Sequence, residues 1–474
     1  MPVSMSRRHF IGAGTLGLSL TGAAGSAAEK RRPNIILMVA DDLGYGDLGC
    51  YGQQRFPTPH LDRMAASGIR FRQHYSGCTV CAPSRSALMT GQHTGHTPIR
   101  GNMEIQPEGQ APLPDSAVTV AGLLRHAGYA TGAFGKWGLG SPGSSGDPNR
   151  QGFDEFFGYN CQRLAHNYYP WHLWHNKEKM VLRENEGDHR GIYAPELIQK
   201  RALQFMETHR RQPFFLFIPT ILPHAELIAP EPYMAKFRGR FLPEKAFQGV
   251  DDGPNFRTGG YASQNEAHAA YAAMITYLDD QVGAIMAQIR SLELEENTLF
   301  LFSSDNGPHR EGGGDPDYFG SCGPLRGNKR DLYEGGIRTP LIACWKGRIK
   351  PAGTTDHLAA FWDFLPTACD LAGITAPGNI DGISYLPKLL GKNQQGHDFL
   401  YWEFHEGKST AQAVRMGRWK AVRQSSQSPM VLYDLNADIG ETKDLAAKNP
   451  EVIATITAYL KTARIDSAGW PFKP

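Results

Sequence analysis

The sequence predicts an α/β fold built on a large, mostly parallel sheet with helices on both faces. Three observations lead to this prediction. Apolar runs alternate with amphipathic segments from Pro33 to about Ala376, as in sheets whose two faces are both covered. The run Asn34–Ala40 is almost entirely apolar, which indicates a buried central strand. Polar residues follow such runs directly, at the edge where open parallel sheets bind their ligands.

The first predicted elements follow from these patterns in chain order. The strand Asn34–Ala40 ends at a pair of aspartates. In the run CAPSRSALMTG, residues 81–91, Pro83 suits the first turn of a helix and Gly91 can end that helix. Asp115 and Ser116 then predict the start of a helix that closes at Gly128. A strand over residues 129–134 follows and leads to Lys136.

Two more buried strands and one long helix complete the predicted sheet. The run PFFLFIP, residues 213–219, predicts a strand that leads to His224. Apolar residues from Tyr271 to Ile289 recur at spacings of three, four and seven, which indicates a helix with one buried stripe. The run Thr298–Ser304 predicts a strand that ends at Asp305 and Asn306. Because parallel strands end at one edge, we expect the polar residues after them to converge there.

The last part of the chain predicts a separate small sheet. Residues 391–396, GKNQQG, are the best candidate for a linker. Short apolar segments separated by turns predict an antiparallel sheet, and residues 450–462 predict a helix packed against it. The predicted strands cover residues 399–404, 413–416, 419–422 and 430–435. We therefore expect an N-terminal α/β catalytic domain at residues 29–392 and a small α+β subdomain at residues 393–474.

Residues 1–28 have the features of an export signal. The run SRRHFIG, residues 6–12, resembles a twin-arginine motif, a weakly apolar stretch covers residues 11–20, and residues 26–28 are small enough for cleavage. The apolar stretch is too short and too rich in Gly, Ser and Thr to form a stable membrane anchor. The sequence thus predicts a bacterial protein that the twin-arginine machinery exports to the periplasm or beyond the cell.

Charge and cysteine content exclude two broad classes. The chain carries 49 basic and 47 acidic residues, and the numbers become equal if Arg7 and Arg8 leave with the signal. This balance argues against a nucleic-acid partner, so any anion site must be local. Seven cysteines in 474 residues are too few for a disulfide framework, and spacing alone does not reveal any pairing.

Cys81 and Arg85 are the first candidates for chemistry. Residue 81 lies at the start of the predicted helix, where backbone N–H groups and the helix dipole stabilise a developing oxyanion. Arg85 lies one turn further on, and its guanidinium can bind the oxygen atoms of an anionic group. By spacing alone, Cys78 and Cys81 also fit a redox pair, half of a zinc site, or buried inert thiols.

A metal site is predicted at two strand ends. Asp41 and Asp42 follow the first strand, and Asp305 and Asn306 follow the last one. These four side chains offer hard oxygen atoms, which suit Ca²⁺ or Mg²⁺ better than Zn²⁺ because no thiol or imidazole is needed.

Six sequence blocks resemble, in the same order, those of the type I sulfatases of the alkaline phosphatase superfamily. The blocks are ADDLGYGDLGCYG, CAPSR, GKWGLG, LPHAEL, SSDNG and PLRGNKRDLYEGGIRTP. The resemblance extends over nearly the whole mature chain and implies an alkaline phosphatase-like fold. It also implies that a formylglycine-generating enzyme oxidises Cys81 to formylglycine. Asp41, Asp42, Asp305 and Asn306 would bind a divalent cation, calcium in the first place, which also contacts an oxygen of converted Cys81.

The resemblance further implies sulfate-ester hydrolysis and a role for each remaining candidate. The hydrated aldehyde would attack sulfur, and loss of its second hydroxyl proton would then expel sulfate. Lys136 and Lys329 match the lysines that hold sulfate oxygens. His224 matches the histidine that protonates the leaving alcohol. His405, from the small subdomain, is carried over as a substrate contact.

One position departs from the family pattern. Gly138 stands where the pattern G-K-W-H-L-G has a histidine, which is credited with deprotonating the hydrate. His166, in the segment CQRLAHNYYP, is our candidate substitute, and a structural or substrate-pocket role suits it equally. The aromatic residues of HNYYPWHLW, residues 166–174, offer faces that could stack on a sugar or an aryl ring, although such clusters also form cores.

The sequence therefore predicts a sulfatase that acts on sulfate monoesters of a sulfated carbohydrate, with arylsulfatase side activity on aryl sulfates. One alternative is a phosphomonoester or phosphonate monoester hydrolase on the same scaffold. Another is a non-catalytic glycan-binding homologue, an interpretation that Gly138 motivates.

Overall fold

The computed structural model describes residues 32–474, and the predicted export signal at residues 1–28 lies outside them. The strands, in chain order, are β1 (Asn34–Ala40), β2 (Ile69–Phe71), β3 (His74–Tyr75), β4 (Glu104–Ile105), β5 (Gly109–Gln110), β6 (Ala130–Lys136), β7 (Glu155–Tyr159), β8 (His172–His175), β9 (Glu178–Val181), β10 (Phe214–Pro219), β11 (Thr298–Ser304), β12 (Leu341–Cys344), β13 (Gly353–Thr355), β14 (Ala359–Ala360), β15 (Leu400–Phe404), β16 (Ala411–Met416), β17 (Trp419–Arg423) and β18 (Val431–Asp434). The α-helices are α1 (Pro59–Ser67), α2 (Cys81–Thr90), α3 (Val120–His126), α4 (Ala194–His209), α5 (Glu231–Phe237), α6 (Ala267–Ser291), α7 (Pro316–Phe319), α8 (Glu334–Ile337), α9 (Phe364–Ala372), α10 (Leu386–Leu389) and α11 (Pro450–Leu460).

A ten-stranded sheet in the order β13-β2-β12-β11-β1-β10-β6-β7-β8-β9 forms the centre of the molecule. Its inner strands β11, β1, β10, β6 and β7 are parallel, whereas antiparallel pairs form on both sides of them. The central strand β1 is buried along its whole length. These observations confirm the predicted mostly parallel α/β sheet.

Alternate residues of β1 face two separate cores, because successive side chains of a strand point to opposite faces. Ile36 and Met38 pack with α1, α4, α5 and α6 on one face. Ile35 and Leu37 pack with α2, α3 and α9 on the other. The helices therefore cover both faces, as the continuous apolar runs predicted.

The start of α3 differs from the prediction. The helix begins at Val120, and the Thr119 hydroxyl accepts a hydrogen bond from the Gly122 amide at 3.1 Å. Asp115 instead accepts a bond from exposed Arg150 at 2.7 Å. The prediction that Asp115 and Ser116 cap this helix was wrong, because Thr119 has the extended backbone from which a side chain reaches the first free N–H groups.

Strands β15 to β18 form a four-stranded antiparallel sheet, and α11 packs against it. This confirms the predicted small C-terminal sheet with its helix. The small sheet packs on the rest of residues 32–474 through aromatic contacts such as Trp362 on Trp402, with ring centroids 5.6 Å apart. Across residues 32–474, no helix is both long and apolar enough to cross a membrane.

A buried group of polar and charged side chains also joins the small sheet to α8 and β3. Lys420 on β17 lies 3.0 Å from Glu334 of α8 and 3.5 Å from Glu441. The Tyr75 hydroxyl donates to Glu334 at 2.6 Å, and Arg338 donates to the same carboxylate at 3.2 Å. We call these five side chains the junction cluster.

Candidate active site

Four strands of the large sheet end at one edge in polar residues. Asp41 and Asp42 follow β1, Lys136 ends β6, His224 follows β10, and Asp305 and Asn306 follow β11. Asp42 has a left-handed backbone with φ of 62°, and its amide donates to the Asp305 carboxylate at 3.2 Å. The structure therefore brings together the side chains that the sequence placed at separate strand ends.

Cys81 lies at the first residue of α2, next to this edge. Its side chain is buried, and the sulfur lies 3.4 Å from Asp41 Oδ1 and 3.4 Å from Lys136 Nζ. Burial, with the neighbouring Asp41 carboxylate, raises the pKa of the Cys81 thiol well above its usual value. The helix ends at Gly91, which has a left-handed φ of 69°, as the sequence predicted.

Cys78 does not act with Cys81 in this structure. Its thiol contacts the Glu403 carbonyl at 3.7 Å, and burial raises its pKa to about 12. Each of the seven cysteines, all of which lie in the described residues, is free. The redox-pair and zinc interpretations of the C-x-x-C spacing therefore gain no support, and Cys78 is a buried inert thiol.

Buried charges surround residue 81. Lys136 Nζ lies 2.7 Å from Asp41 Oδ2, and the Arg85 guanidinium donates to Asp305 Oδ2 at 2.8 Å and to the Lys136 carbonyl. Burial opposes ionisation of Asp41, yet Lys136 and Arg85 hold its pKa well below its usual range. Burial and the nearby Asp41 raise the pKa of Asp305 to about 7. Arg85 thus pairs with Asp305 and Asp41 next to residue 81.

The donor atoms here fit a hard divalent cation. The Asn306 amide nitrogen donates to Asp42 Oδ1 at 2.6 Å, which leaves its carbonyl oxygen Oδ1 buried without a hydrogen-bond partner among the described residues. The carboxylates of Asp42 and Asp305 belong to the same cluster, since Asp42 is hydrogen-bonded to both Asn306 and Asp305. Such oxygen atoms are the preferred ligands of Ca²⁺ and Mg²⁺. Asp41, Asp42, Cys81 and His224 also offer ligand atoms within 4.8 Å of one another.

Lys329 and His224 face each other at the mouth of this cluster. Lys329 Nζ donates to Asp42 Oδ2 at 2.9 Å, to Glu311 Oε2 at 3.0 Å and to His224 Nε2 at 3.1 Å. His224 Nδ1 donates to the Ala225 carbonyl, which accepts only, so Nε2 is the acceptor atom. Burial and the Lys329 charge lower the pKa of His224 well below its usual value.

His166 and His405 both line a cleft that opens above Cys81. The His166 ring stacks on His224 with centroids 4.9 Å apart, and its Nδ1 donates to the Gly259 carbonyl at 2.8 Å. Burial and His224 lower the pKa of His166 well below its usual value, so the neutral ring keeps Nε2 as an acceptor. His405 is buried, and its Nε2 lies 2.9 Å from Glu403.

Gly138 leaves no room for a side chain. Its backbone has a left-handed φ of 73°, and an added Cβ would lie 2.4 Å from the Gln162 amide nitrogen. The space that a histidine at position 138 would take is therefore occupied by Gln162.

The cleft above Cys81 has a volume of about 690 Å³. Several of its lining residues were not predicted, namely Gln162, Tyr261, Glu311, Arg330, Trp470 and Lys473. Glu311 had a signal in the sequence, because it follows Asp305 in the same loop. Trp470 had none, since it lies near the end of the chain. Of the aromatic segment at residues 166–174, His166 lines the cleft, whereas Tyr168 is buried in the core.

Comparisons with known proteins agree with this geometry. A family model described as Sulfatase matches residues 33–374, and one described as N-sulphoglucosamine sulphohydrolase, C-terminal, matches residues 327–466. Arylsulfatase A of Homo sapiens is 33% identical over 504 residues, covering 95% of this chain and 91% of that protein. N-acetylgalactosamine-6-sulfatase of Canis lupus familiaris is 33% identical over 435 residues, covering 86% and 74%.

Solved structures share the whole architecture. The crystal structure of Ps i-CgsB in complex with k-i-k-neocarrahexaose has a TM-score of 0.78 and 27% identity, covering 94% of this chain and 95% of that one. Phosphonate monoester hydrolase of Agrobacterium radiobacter has a TM-score of 0.62 and 20% identity, covering 91% and 95%, which shows the fold alone. The Sulfatase model matches most of the sequence, and two relatives are 33% identical over 95% and 86% of it. This chain therefore belongs to the sulfatase family of the alkaline phosphatase superfamily and is a sulfuric ester hydrolase.

Proposed function

We propose that this sulfatase hydrolyses sulfate monoesters of a sulfated carbohydrate, with formylglycine at position 81 and a bound divalent cation, Ca²⁺ in preference to Mg²⁺. The observation that carries the proposal is the position of residue 81. It lies at a buried helix N-terminus, 3.4 Å from both an anionic and a cationic side chain, at the floor of an open cleft. A group that forms and stabilises negative charge needs these surroundings.

Asp41, Asp42, Asp305 and Asn306 would hold the cation, which supplies Lewis-acid polarisation of the sulfate group when bound. The aldehyde at residue 81 supplies, as its hydrate, the hydroxyl that attacks sulfur and a second hydroxyl whose deprotonation releases sulfate. Lys136 and Lys329 bind sulfate oxygens and stabilise their negative charge in the transition state. Arg85 fixes the carboxylate of Asp305 through two N–H groups, at 2.8 and 3.1 Å.

Lys329, His224 and His166 are assigned to the proton transfers. Lys329 Nζ carries the proton for the departing alcohol oxygen, and His224 Nε2, which accepts from Lys329 at 3.1 Å, can relay that proton to it. His166 carries its Nδ1 proton on the Gly259 carbonyl, so its Nε2 can accept the hydrate proton that Gly138 leaves without a histidine partner. His405 contributes to the substrate wall next to Trp470, with ring centroids 6.1 Å apart.

A carbohydrate substrate fits the dimensions and lining of the cleft. Its volume of about 690 Å³ exceeds the needs of a sulfate group and lies in the range of sites for ligands of drug size. Trp470 offers an aromatic face, and the Lys473 ammonium group, which donates to the carbonyls of His405 and Gly407, adds a positive charge to the wall. One relative is named for N-acetylgalactosamine 6-sulfate, and a similar structure binds a neocarrahexaose. Aryl sulfates would react as side substrates.

Maturation, export and domain organisation complete the proposal. A formylglycine-generating enzyme would oxidise Cys81, and the twin-arginine machinery would export the protein through the signal at residues 1–28. The mature enzyme would be periplasmic or secreted. Residues 29–392 would form the catalytic domain, and residues 393–474 the subdomain that brings Trp470 and Lys473 to the cleft.

The test is to purify the protein with and without co-expression of a formylglycine-generating enzyme. We expect the peptide that contains Cys81 to lose about 18 Da on conversion. Sulfate release from 4-nitrophenyl sulfate, N-acetylgalactosamine 6-sulfate and D-glucosamine-2-N,6-O-disulfate should rise with the converted fraction. Cys81→Ala should lower kcat/KM by at least about 10³-fold. Cys78→Ala, which removes a buried thiol outside the motif, serves as the matched control and should stay active.

Three outcomes would contradict the proposal. Full activity of protein in which residue 81 remains a thiol would exclude the formylglycine mechanism. Faster hydrolysis of 4-nitrophenyl phosphate or of a phosphonate monoester than of every sulfate ester would favour the phosphoesterase alternative. Absence of turnover in fully converted protein, together with glycan binding, would favour the non-catalytic alternative.

A further inference from the structure

Gln162 has a buried amide that the proposed mechanism does not use. Its side chain lines the cleft next to Cys81 and is 9% exposed. Neither the amide nitrogen nor the amide oxygen has a hydrogen-bond partner within residues 32–474. Buried polar groups in folded proteins nearly always have partners, so an amide left unpaired on the wall of an active site calls for a functional explanation.

The surrounding backbone places this amide close to the reacting centre. The Gly138 amide donates to the Asn160 carbonyl at 3.0 Å, which sets residues 160–162 beside the end of β6. The Gln162 backbone N–H donates to the Gln110 side chain at 3.3 Å. An added Cβ on Gly138 would lie 2.4 Å from Gln162 Nε2, so this amide lies over the backbone two residues beyond Lys136.

The chemistry of an amide restricts what it can recognise. Gln162 offers two N–H donors and one carbonyl acceptor, and it does not act as a base. Sulfate oxygens only accept hydrogen bonds, and Lys136 and Lys329 already serve them in the proposed mechanism. A hydroxyl group both donates and accepts, so it can pair with both atoms of the amide.

We propose that Gln162 determines specificity by binding a hydroxyl group of the sugar ring that carries the sulfate ester. This inference rests on the proposed function, since it assigns a contact for the carbohydrate substrate. Gln162 would distinguish sugar sulfates from sulfate esters that have no neighbouring hydroxyl. A site built to bind a hydroxyl rejects analogues that lack it, because its own polar atoms then stay unpaired.

The test compares Gln162→Met and Gln162→Leu with the parent enzyme, all fully converted at Cys81. Two substrates are used, N-acetylgalactosamine 6-sulfate, which has ring hydroxyls, and 4-nitrophenyl sulfate, which has none. We expect kcat/KM for the sugar sulfate to fall at least about tenfold, mainly through a higher KM. The value for 4-nitrophenyl sulfate should stay within about twofold.

Thermal unfolding supplies a readout that does not depend on turnover. Because the Gln162 amide has no protein partner, we expect both variants to keep or raise the Tm. Gln199→Leu is the matched control. Gln199 is a buried glutamine on α4 whose amide nitrogen donates to the Gln281 carbonyl at 3.1 Å, so its loss should lower the Tm and leave the substrate ratio unchanged.

Three outcomes would overturn the inference. Unchanged kcat/KM for both substrates would show that the amide contacts neither. An equal fall for both substrates, or a Tm loss as large as that of Gln199→Leu, would show that Gln162 supports the structure of the site. If the parent enzyme releases sulfate from neither ester, the proposed function fails and the inference fails with it; activity of the parent enzyme separates the two failures.

Discussion

Two buried clusters of charged side chains in this sulfatase differ in their access to a ligand, because only one of them opens onto the cleft. In the junction cluster, Lys420 lies between Glu334 and Glu441, and Tyr75 and Arg338 occupy the second oxygen of Glu334. Burial opposes ionisation of Glu334, but Lys420 and Arg338 lower its pKa to about 2. The charges there form ion pairs with one another, although Glu441 Oε1 accepts no hydrogen bond from residues 32–474, and none of the five side chains lines the cleft.

The cluster around Cys81 contains a similar mixture of lysine, arginine and carboxylate groups, but it lies at the floor of the cleft. The Asn306 carbonyl oxygen and the Gln162 amide have no protein partner among residues 32–474. Lys329 and His224 open onto the cleft. The comparison teaches that buried charge alone does not identify an active site; what distinguishes it is polar groups that line a cleft which a ligand can enter.

Exchanging one lysine in each cluster should produce the largest contrast. Lys329→Met should lower kcat/KM by at least about 10²-fold, because it removes a sulfate-binding charge. Lys420→Met should leave Glu441 without its ion pair and Glu334 with Arg338 as its remaining cation, and should lower the free energy of unfolding by about 3–5 kcal/mol. Lys329→Met should cost less stability, because the cleft admits water to Glu311, which is 21% exposed. Urea denaturation and sulfate-release assays measure both quantities. Loss of turnover in folded Lys420→Met would contradict the prediction that this lysine stabilises the fold without taking part in turnover.

Removal of the cation should act on the catalytic cluster alone. We expect chelation to lower kcat/KM at least about tenfold and to lower the free energy of unfolding by about 2–3 kcal/mol relative to protein in Ca²⁺ at 100 times its Kd. Added Ca²⁺ should restore both. Lys420→Met should keep the full Ca²⁺-dependent rise in Tm, because distant sites add independently, whereas Asp42→Asn should lose it. A Ca²⁺ response that persists in Asp42→Asn would move the metal elsewhere.

Stability should depend on pH through the junction cluster. Burial, with neighbouring Glu334, raises the pKa of Glu441 to about 7. A carboxyl group whose pKa is raised by folding binds its proton more tightly in the native state, so its contribution to stability falls as pH rises from about 4.5 to about 7. Glu334 has its pKa lowered instead, so its contribution is lost only as pH falls below about 4.5.

Glu441→Gln should therefore flatten the pH profile between pH 5 and 8. We expect the parent enzyme to lose about 1–3 kcal/mol more than this variant over that range. Gln can still accept the hydrogen bond from the Glu334 amide, which is 2.7 Å long in this structure. Urea denaturation at several pH values measures the difference. Parallel profiles for the two proteins would show that Glu441 does not titrate in this range.

The smallest expected effect concerns the outer wall of the cleft. Trp470→Ala should lower kcat/KM for a sulfated sugar by about 2–10-fold, the loss expected when one aromatic face is removed. Hydrolysis of 4-nitrophenyl sulfate should be unaffected if this ring contacts the sugar. Trp171→Ala is the matched control, because this half-exposed tryptophan packs on Phe256 and does not line the cleft. An equal effect of both variants would indicate a change in stability instead.

The bounds of the central strands β1 and β11 were predicted correctly, because each apolar run stops where polar residues begin. Asn34–Ala40 and Thr298–Ser304 have the predicted bounds, because burial on both faces requires apolar residues along their whole length. The cap of α3 was predicted three to four residues too early. Asp115 is a good capping residue in isolation, but it pairs with Arg150, and Thr119 has the required backbone. A tertiary contact, and not the local preference of aspartate for capping positions, therefore decided where Asp115 lies.

The sequence by itself determined which chemistry is present: the motif at Cys81, the carboxylates at two strand ends, and their arrival at one edge of a parallel sheet. Tertiary structure alone decided which side chains complete the site. Gln162 fills the space beside Gly138, and Trp470 and Lys473 reach the cleft from the end of the chain. The reason is physical. Periodicity records whether a residue is buried, but contacts between distant segments depend on how whole elements pack, and no local pattern encodes that.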